Sequence, residues 1–330
     1  MLNIKLGESK IPCQANESVL DALLKANIQI PYGCQQGVCQ SCLMRSLDTT
    51  PPVSAQAGLK DTLQKQNYFL ACLCHPEQDM TIALPEQQGA LLNASVIKKQ
   101  LLTPEILRLV LQYDAPLTFF AGQFVNLQRF DGLMRSYSIA NSPQQDKVLE
   151  FHIRRLPNGQ FSNWVHDELE HGAQLTLTEA QGSCHYLPGR MEQPLLLIGT
   201  GSGLAPLYGI INDALAQGHT GAIHLYHGSR NHDGLYLVDE IRGLTKQFDN
   251  FNYTACLSGA CIAEQAIEAN YAQGRAHDLA LNTIQNLKGW RIYLCGHPEM
   301  VNQSKRAAYI KGASLSDIYT DAFLVGNHNG

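Results

Sequence analysis

Tyr32-Gly-Cys-Gln-Gln-Gly-Val-Cys-Gln-Ser-Cys42 places Cys34, Cys39 and Cys42 on one short loop at C-x4-C-x2-C spacing. A second stretch, Phe69-Leu-Ala-Cys-Leu-Cys-His-Pro76, adds Cys72 and Cys74 from farther along the chain. Three thiolates on a tight loop, with a fourth delivered from a distant segment, suit two tetrahedral irons bridged by sulfide, the plant-type 2Fe-2S arrangement. Gly37 lets the loop backbone curl close to the sulfides, where peptide N–H groups offset negative charge. Zinc sites usually show two C-x2-C pairs, and a disulfide framework needs an oxidising compartment, so both fit this spacing less well. Which cysteine is the fourth ligand stays open on these grounds, because alternation along a strand turns Cys72 and Cys74 to the same face. A centre of this kind handles single electrons.

The composition narrows the partners. With 24 basic against 29 acidic side chains the formal charge is -5, so there is no electrostatic footprint for nucleic acid. The chain opens as an alternating strand rather than a basic and apolar leader, and no apolar run approaches the ~20 residues of a membrane span. The expectation is a cytoplasmic protein with no membrane insertion. Cys13, Cys184, Cys256 and Cys261 belong to no motif and read as small buried hydrophobes. At 330 residues the chain exceeds one ordinary core, and its texture changes twice.

Residues 1–88 read as two short strands, a helix near Ser18 to Ala26 starting from Asn16 or Glu17, the cysteine loop, and a closing strand around Thr81 to Leu84. Leu20, Leu23 and Leu24 share one face of that helix. Glu86-Gln-Gln-Gly-Ala90 interrupts the pattern as a linker. Over 91–192, alternating runs at Leu107–Leu111, Phe124–Leu127, Ser136–Ile139, Leu149–Ile153 and Gln174–Thr178 predict an antiparallel β-barrel. Over 193–330, apolar strands at Leu195–Ile198, Ile223–Tyr226, Tyr253–Leu257 and Arg291–Leu294 alternate with helical stretches, the signature of a parallel sheet. The fold class is multidomain, α+β then α/β.

Four further stretches carry chemistry. Arg135-Ser-Tyr-Ser-Ile-Ala-Asn141 lies on a barrel strand. Phe151-His-Ile-Arg-Arg-Leu-Pro-Asn-Gly-Gln-Phe-Ser162 carries Gly159 and Ser162 at Gly-x-x-Ser spacing. Leu195-Leu-Leu-Ile-Gly-Thr-Gly-Ser-Gly-Leu-Ala-Pro206 runs from an apolar strand through a glycine-rich turn into a helix, a phosphate-binding layout. Leu294-Cys-Gly-His-Pro-Glu-Met300 follows about 90 residues later, where the fold of such a domain needs it.

Together these resemble the ferredoxin-NADP reductase family of flavoproteins, and residues 1–88 resemble a β-grasp 2Fe-2S ferredoxin. The ferredoxin pattern, an aliphatic and a small residue before the last cysteine and a proline four residues after it, selects Cys72 and leaves Cys74 to packing. The family's R-x-Y-S motif implies that Arg135 clamps the FAD pyrophosphate, Tyr137 lies against the flavin ring and Ser138 bonds near its reactive nitrogen. Its Gly-x-x-Ser turn implies pyrophosphate contacts from Gly159, Phe161 and Ser162, with Ile153 on the preceding strand. The family's Gly-Pro-x-Gly turn is replaced here by Glu179-Ala-Gln-Gly182, so only its last glycine is retained. Gly199, Thr200, Gly201, Gly203 and Pro206 are implied to hold the nicotinamide dinucleotide, and Cys295 and Gly296 to border its ring. Phe323, in Asp321-Ala-Phe323, matches an aromatic that covers the flavin in relatives.

Gly228-Ser-Arg230 stands where an adenosine ribose would lie, and Arg230 could receive a 2′-phosphate. NADPH users in the family place Ser-Arg after the next strand, which here reads Leu257-Ser-Gly259, so the reading favours NADH with NADPH as the alternative. The resemblance implies the reductase component of a bacterial multicomponent oxygenase, of the benzoate, naphthalene or toluene oxygenase type. Electrons would pass from NADH to FAD, to the 2Fe-2S cluster, and out to a terminal oxygenase or other redox protein. Reductases of a deoxysugar pathway, reductases serving a quinone or iron acceptor, and a redox sensor without turnover share these motifs and are the alternatives.

Overall fold

The computed structural model describes residues 2–32, 34–37, 40–84, 91–144, 147–259 and 271–323. Contacts divide the chain into two compact units, Met1–Gln88 and Gly89–Gly330. The linker expected at 86–90, Cys39 and Cys261 lie outside the described residues.

In the first unit, β1 (Leu2–Leu6), β2 (Ser9–Cys13), β3 (Leu43–Ser46), β4 (Tyr68–Leu70) and β5 (Met80–Ala83) form a mixed five-stranded sheet in the order β2-β1-β5-β3-β4. The helix Val19–Lys25 buries Val19, Leu20 and Leu23 with Ile4, Met44 and Phe69. Its N-cap is Ser18, whose side chain accepts from Asp21 N, so the start expected at Asn16 or Glu17 moves by one or two residues. Asn16 instead sits at φ 65, and Glu17 pairs with Lys25.

The second unit begins with an antiparallel sheet of β6 (Leu92–Leu101), β7 (Ile106–Tyr113), β8 (Phe124–Gln128), β9 (Met134–Ser138), β10 (Val148–Arg154) and β11 (Gln174–Leu177). The order is β10-β7-β6-β11-β8-β9, and an Ile139–Phe151 bridge joins the end of β9 back to β10, closing the barrel. Inward residues such as Leu109, Leu111, Val125, Leu127 and Phe151 fill it. The sequence pattern missed β6. A register shift between Val96 and Lys98, followed by exposed lysine, hides its alternation.

The same unit continues with a parallel sheet of β12 (Leu195–Thr200), β13 (Ile223–Ser229), β14 (Phe251–Leu257), β15 (Ala272–Gln273), β16 (Arg291–Gly296) and β17 (Ile318–Ala322), in the order β15-β14-β13-β12-β16-β17. Leu195 to Ile198 are buried throughout because apolar clusters cover both faces of the sheet. The strand order reverses direction between β12 and β16. Such a switch point opens a crevice at the carboxyl ends of the strands.

Candidate functional site: a thiol cluster and a dinucleotide cleft

In the first unit, Cys34, Cys42 and Cys72 come together. Burial, a hydrogen bond with Cys42 and the nearby Cys34 push the Cys72 thiol up to about 11, while the Gly37 backbone N–H opposes this. Gln36 N donates to Cys34 Sγ at 3.4 Å. Gly37 has φ 78, and a Cβ there would lie 2.4 Å from the Leu73 side chain. Backbone donors aimed at sulfurs, around a glycine whose positive φ disfavours any side chain, fit the charge of a sulfide-bridged cluster. Among the described residues no three His, Cys, Asp or Glu side chains close on one metal position.

Cys74 does not share this site. It is fully buried, its thiol pushed up to about 12 by burial first and then by Cys13, and its carbonyl accepts from Val19 N under the helix. The strand alternation that left Cys72 and Cys74 equivalent does not operate. β4 stops at Leu70, and Leu73 N donates to Leu70 O in a turn that separates the two thiols.

In the second unit, one cleft of about 1530 Å3 gathers most of the motif residues. β9 contributes Arg135, Tyr137 and Ser138, and the Tyr137 ring lies 5.6 Å from that of Phe161. Gly159, Phe161 and Ser162 line the cleft at the start of the helix Gln160–Asp167, whose N-terminus has no side-chain cap. A Cβ on Gly159 would meet Ser162 Oγ at 2.4 Å and Leu156 Cβ at 2.9 Å, so a side chain there crowds the turn. An uncapped helix N-terminus with an arginine in the same cleft fits a pyrophosphate.

Thr200, Gly201 and Ser202 line the cleft from the end of β12. Thr200 Oγ1 accepts from His297 N at 3.2 Å, and Gly296, at φ 119, packs so tightly that a Cβ would meet Thr200 O at 2.7 Å. The two strand ends thus form one backbone-lined wall at the switch point, which fits a second dinucleotide. Arg230 and Phe323 are also on the lining. Ser258 N donates to Ser229 O and Gly259 N to Arg230 O, so the two segments weighed for the ribose site join at one end of the cleft.

Several expected contact residues lie behind the lining. Ile153 is fully buried in the barrel core, and alternation presents His152 and Arg154 to the cleft in its place. Gly199 packs on Leu207, Gly203 on the Cys295 carbonyl, and Pro206 is buried in the helix Leu204–Ala216. Cys295 is fully buried with its Sγ 3.7 Å from Cys184 Sγ; β16 sends Tyr293 and Cys295 into the core, and Gly296 makes the wall. Cys256, with its thiol pushed up to about 12 by burial, is core as expected.

Asp321 and Arg154 are among the lining residues that the sequence reading did not single out. Asp321 accepts from Ser138 Oγ at 2.7 Å, and burial raises its pKa while that hydrogen bond lowers it. Arg154, ion-paired with Glu105, places a guanidinium nitrogen 3.9 Å from where a Gly201 side chain would begin. Asp321 stands in the tripeptide that drew attention to Phe323, and Arg154 stands in the quoted strand, but neither matched a motif.

This fold and these sites define an iron–sulfur flavoprotein oxidoreductase with three cofactor modules. Family models match in the same order: a 2Fe-2S iron-sulfur cluster binding domain over residues 3–77, an oxidoreductase FAD-binding domain over 93–186 and an oxidoreductase NAD-binding domain over 197–306. The chain is 31% identical to phenol hydroxylase P5 protein of Acinetobacter pittii, over 95% of this chain and 91% of that protein. It is 32% identical to the ferredoxin--NAD(P)(+) reductase component of the naphthalene 1,2-dioxygenase/salicylate 5-hydroxylase systems of a Ralstonia species, over 94% of each. The crystal structure of Amycolatopsis cytochrome P450 reductase GcoB matches with a TM-score of 0.68 at 29% identity, over 98% of this chain and 99% of that one. The chain therefore belongs to the ferredoxin-NADP reductase family, among the 2Fe-2S and FAD reductase components of bacterial oxygenase systems.

Proposed function

We propose that the protein carries electrons from NADH through FAD and a 2Fe-2S cluster to a partner oxygenase, in the cytoplasm where that nucleotide is made. No helix among the described residues is long and apolar enough to cross a membrane. The observation that carries the reading is the single cleft in which Arg135 and the Gly159 turn share a lining with Thr200, Gly201 and Gly296. When bound, FAD takes the electron pair of the reduced nicotinamide and the iron–sulfur centre releases electrons singly.

The chain's own residues bind, orient and tune. Arg135 and the N–H groups of Phe161 and Ser162 hold the flavin pyrophosphate, and Tyr137, braced by Phe161, supports the ring. Arg154, Thr200 and Gly201 hold the nicotinamide dinucleotide at the end of β12. Ser138 and Asp321 keep a hydroxyl and a carboxyl paired in the wall of the cleft, so that neither buried group lacks a partner. Cys34, Cys39, Cys42 and Cys72 ligate the cluster. Segments 1–88, 91–192 and 193–330 carry the cluster, FAD and nucleotide in turn. Asp233 lines the same end of the cleft as Ser229 and Arg230 and supports NADH, since its carboxylate would repel a 2′-phosphate.

Anaerobic addition of NADH to the purified protein tests the reading. Stoichiometric NADH bleaches the flavin band and then the cluster band, and NADPH does so more slowly. Bands unchanged by either nucleotide would overturn it.

A further inference from the structure

The ligand-bearing segments of the first unit share a property that the cofactors do not require. The sequence holds no Asp, Glu, Lys, Arg or His from Ala26 to Met44, nor from Thr49 to Leu59, nor from Gln66 to Cys74. Charged or titratable residues flank these segments at Lys25, Arg45, Asp48, Lys60, Lys65 and His75, and the unit's others, among them Lys5, Glu8, Lys10, Glu77 and Asp79, lie farther along the chain. The neutral segments are joined in space: Gln40 Nε2 donates to Gly58 O, and Gln56 Nε2 donates to Tyr68 O.

Most of the described residues of the loop are open to solvent. Cys34 is exposed, and so are Pro31, Gln35, Gln36, Gln40 and Ser41, while Tyr32 leaves 46% of its surface exposed. We propose that this loop face is an uncharged docking surface for a one-electron redox protein whose own centre is ringed by uncharged side chains. Docking uses hydrogen bonds to the glutamine amides and apolar contact with Tyr32, an aromatic suited to interface cores. The proposal rests on the reading that electrons leave through the cluster.

The two partners' chemistry follows from what charge does to association. Charge-complementary faces steer encounter, and salt removes the gain, because exposed charges are screened over ~10 Å at 0.1 M ionic strength. A face with no charges has little to screen. Its transfer rate is set by packing and hydrogen bonding, and stays nearly level as salt rises.

Cytochrome c, a basic one-electron acceptor, reports the sign of the face. The full-length protein loaded with its cofactors is driven by NADH, and the second-order rate of cytochrome c reduction is followed from about 20 to 500 mM NaCl. The wild-type rate changes by less than about threefold, and Gln35→Glu/Ser41→Glu, which keeps its cluster absorbance and its ferricyanide rate, shows a fall of about tenfold or more over the same range. A tenfold fall in the wild type would overturn the proposal by showing a charged docking face. A level profile in the double variant would overturn it too, since docking would then lie elsewhere. Cys34→Ser separates the two levels of the account. If that variant loses its cluster yet reduces cytochrome c at the wild-type rate, electrons do not leave through the cluster, and the electron-outlet reading falls together with the docking face.

Discussion

Replacing Gly203 with alanine isolates the contact that holds the nucleotide turn against β16. Gly203 has φ -61, which alanine adopts freely, so backbone strain plays no part. Space decides the outcome. A Cβ would lie 2.3 Å from the Cys295 carbonyl oxygen, 2.6 Å from its carbon and 2.8 Å from Gly296 Cα. All three are backbone atoms of a buried strand, and none can rotate away. Bringing the oxygen contact to an ordinary separation requires the turn and the strand to part by about 1 Å. Overpacking of this kind costs about 1–3 kcal/mol. At about 2–4 °C per kcal/mol for a unit of this size, the thermal midpoint drops by roughly 2–12 °C. A misplacement of about 1 Å beside the reacting groups lowers the rate of flavin reduction by NADH roughly tenfold to a hundredfold. FAD content stays at the wild-type level, because Arg135 and Gly159 are on other elements. Gly243→Ala is the control: on the helix Val238–Gln247, with nothing within 4 Å of its Cβ, it stabilises by about 0.5–1 kcal/mol. Differential scanning calorimetry and stopped-flow absorbance read both effects. A Gly203→Ala protein with unchanged midpoint and rate would refute the close packing of the two strand ends.

Cys72→Ser abolishes the cluster absorbance and Cys74→Ser leaves it; iron lost only from the Cys74 variant would reverse the ligand assignment. Arg135→Ala removes a charge-assisted contact worth about 1.5–3 kcal/mol, so FAD dissociates roughly tenfold to a hundredfold more readily, and full flavin retention through dialysis would contradict it. Asp321 has its folded pKa raised above the ordinary 3.8, chiefly by burial, so between those values the folded state binds more protons than the unfolded state. Its contribution to stability is present in acid and lost as pH rises through the folded pKa. The thermal midpoint of Asp321→Asn relative to wild type should therefore rise from about pH 4 to pH 7, and parallel profiles would argue against a buried, titrating carboxyl.

Local chemistry made the three-part architecture legible, because alternation, turn glycines and strand-to-helix turns are read over a few residues. Sidedness was harder. Ile153 and Cys295 belong to the right strands but point into cores, and the neighbours His152, Arg154 and Gly296 form the lining. Alternation alone left Cys72 and Cys74 equivalent and the ferredoxin pattern chose between them; the physical reason that they differ is that the chain leaves β4 at Leu70. The Ser138–Asp321 pair joins residues 183 positions apart, a distance over which no local pattern carries information. The strand β6 was obscured by its own bulge, which breaks the alternation that reveals its neighbours.

The direction of electron flow is the central claim, and a chain beginning at Leu91 tests it most directly. Residues 89–330 form a compact unit that includes the whole cleft, so this shortened protein should bind FAD and reduce ferricyanide from NADH at nearly the full-length rate. Its reduction of cytochrome c should collapse, because the cysteines that hold the one-electron outlet are gone. Equal cytochrome c rates in the shortened and full-length proteins would contradict the account.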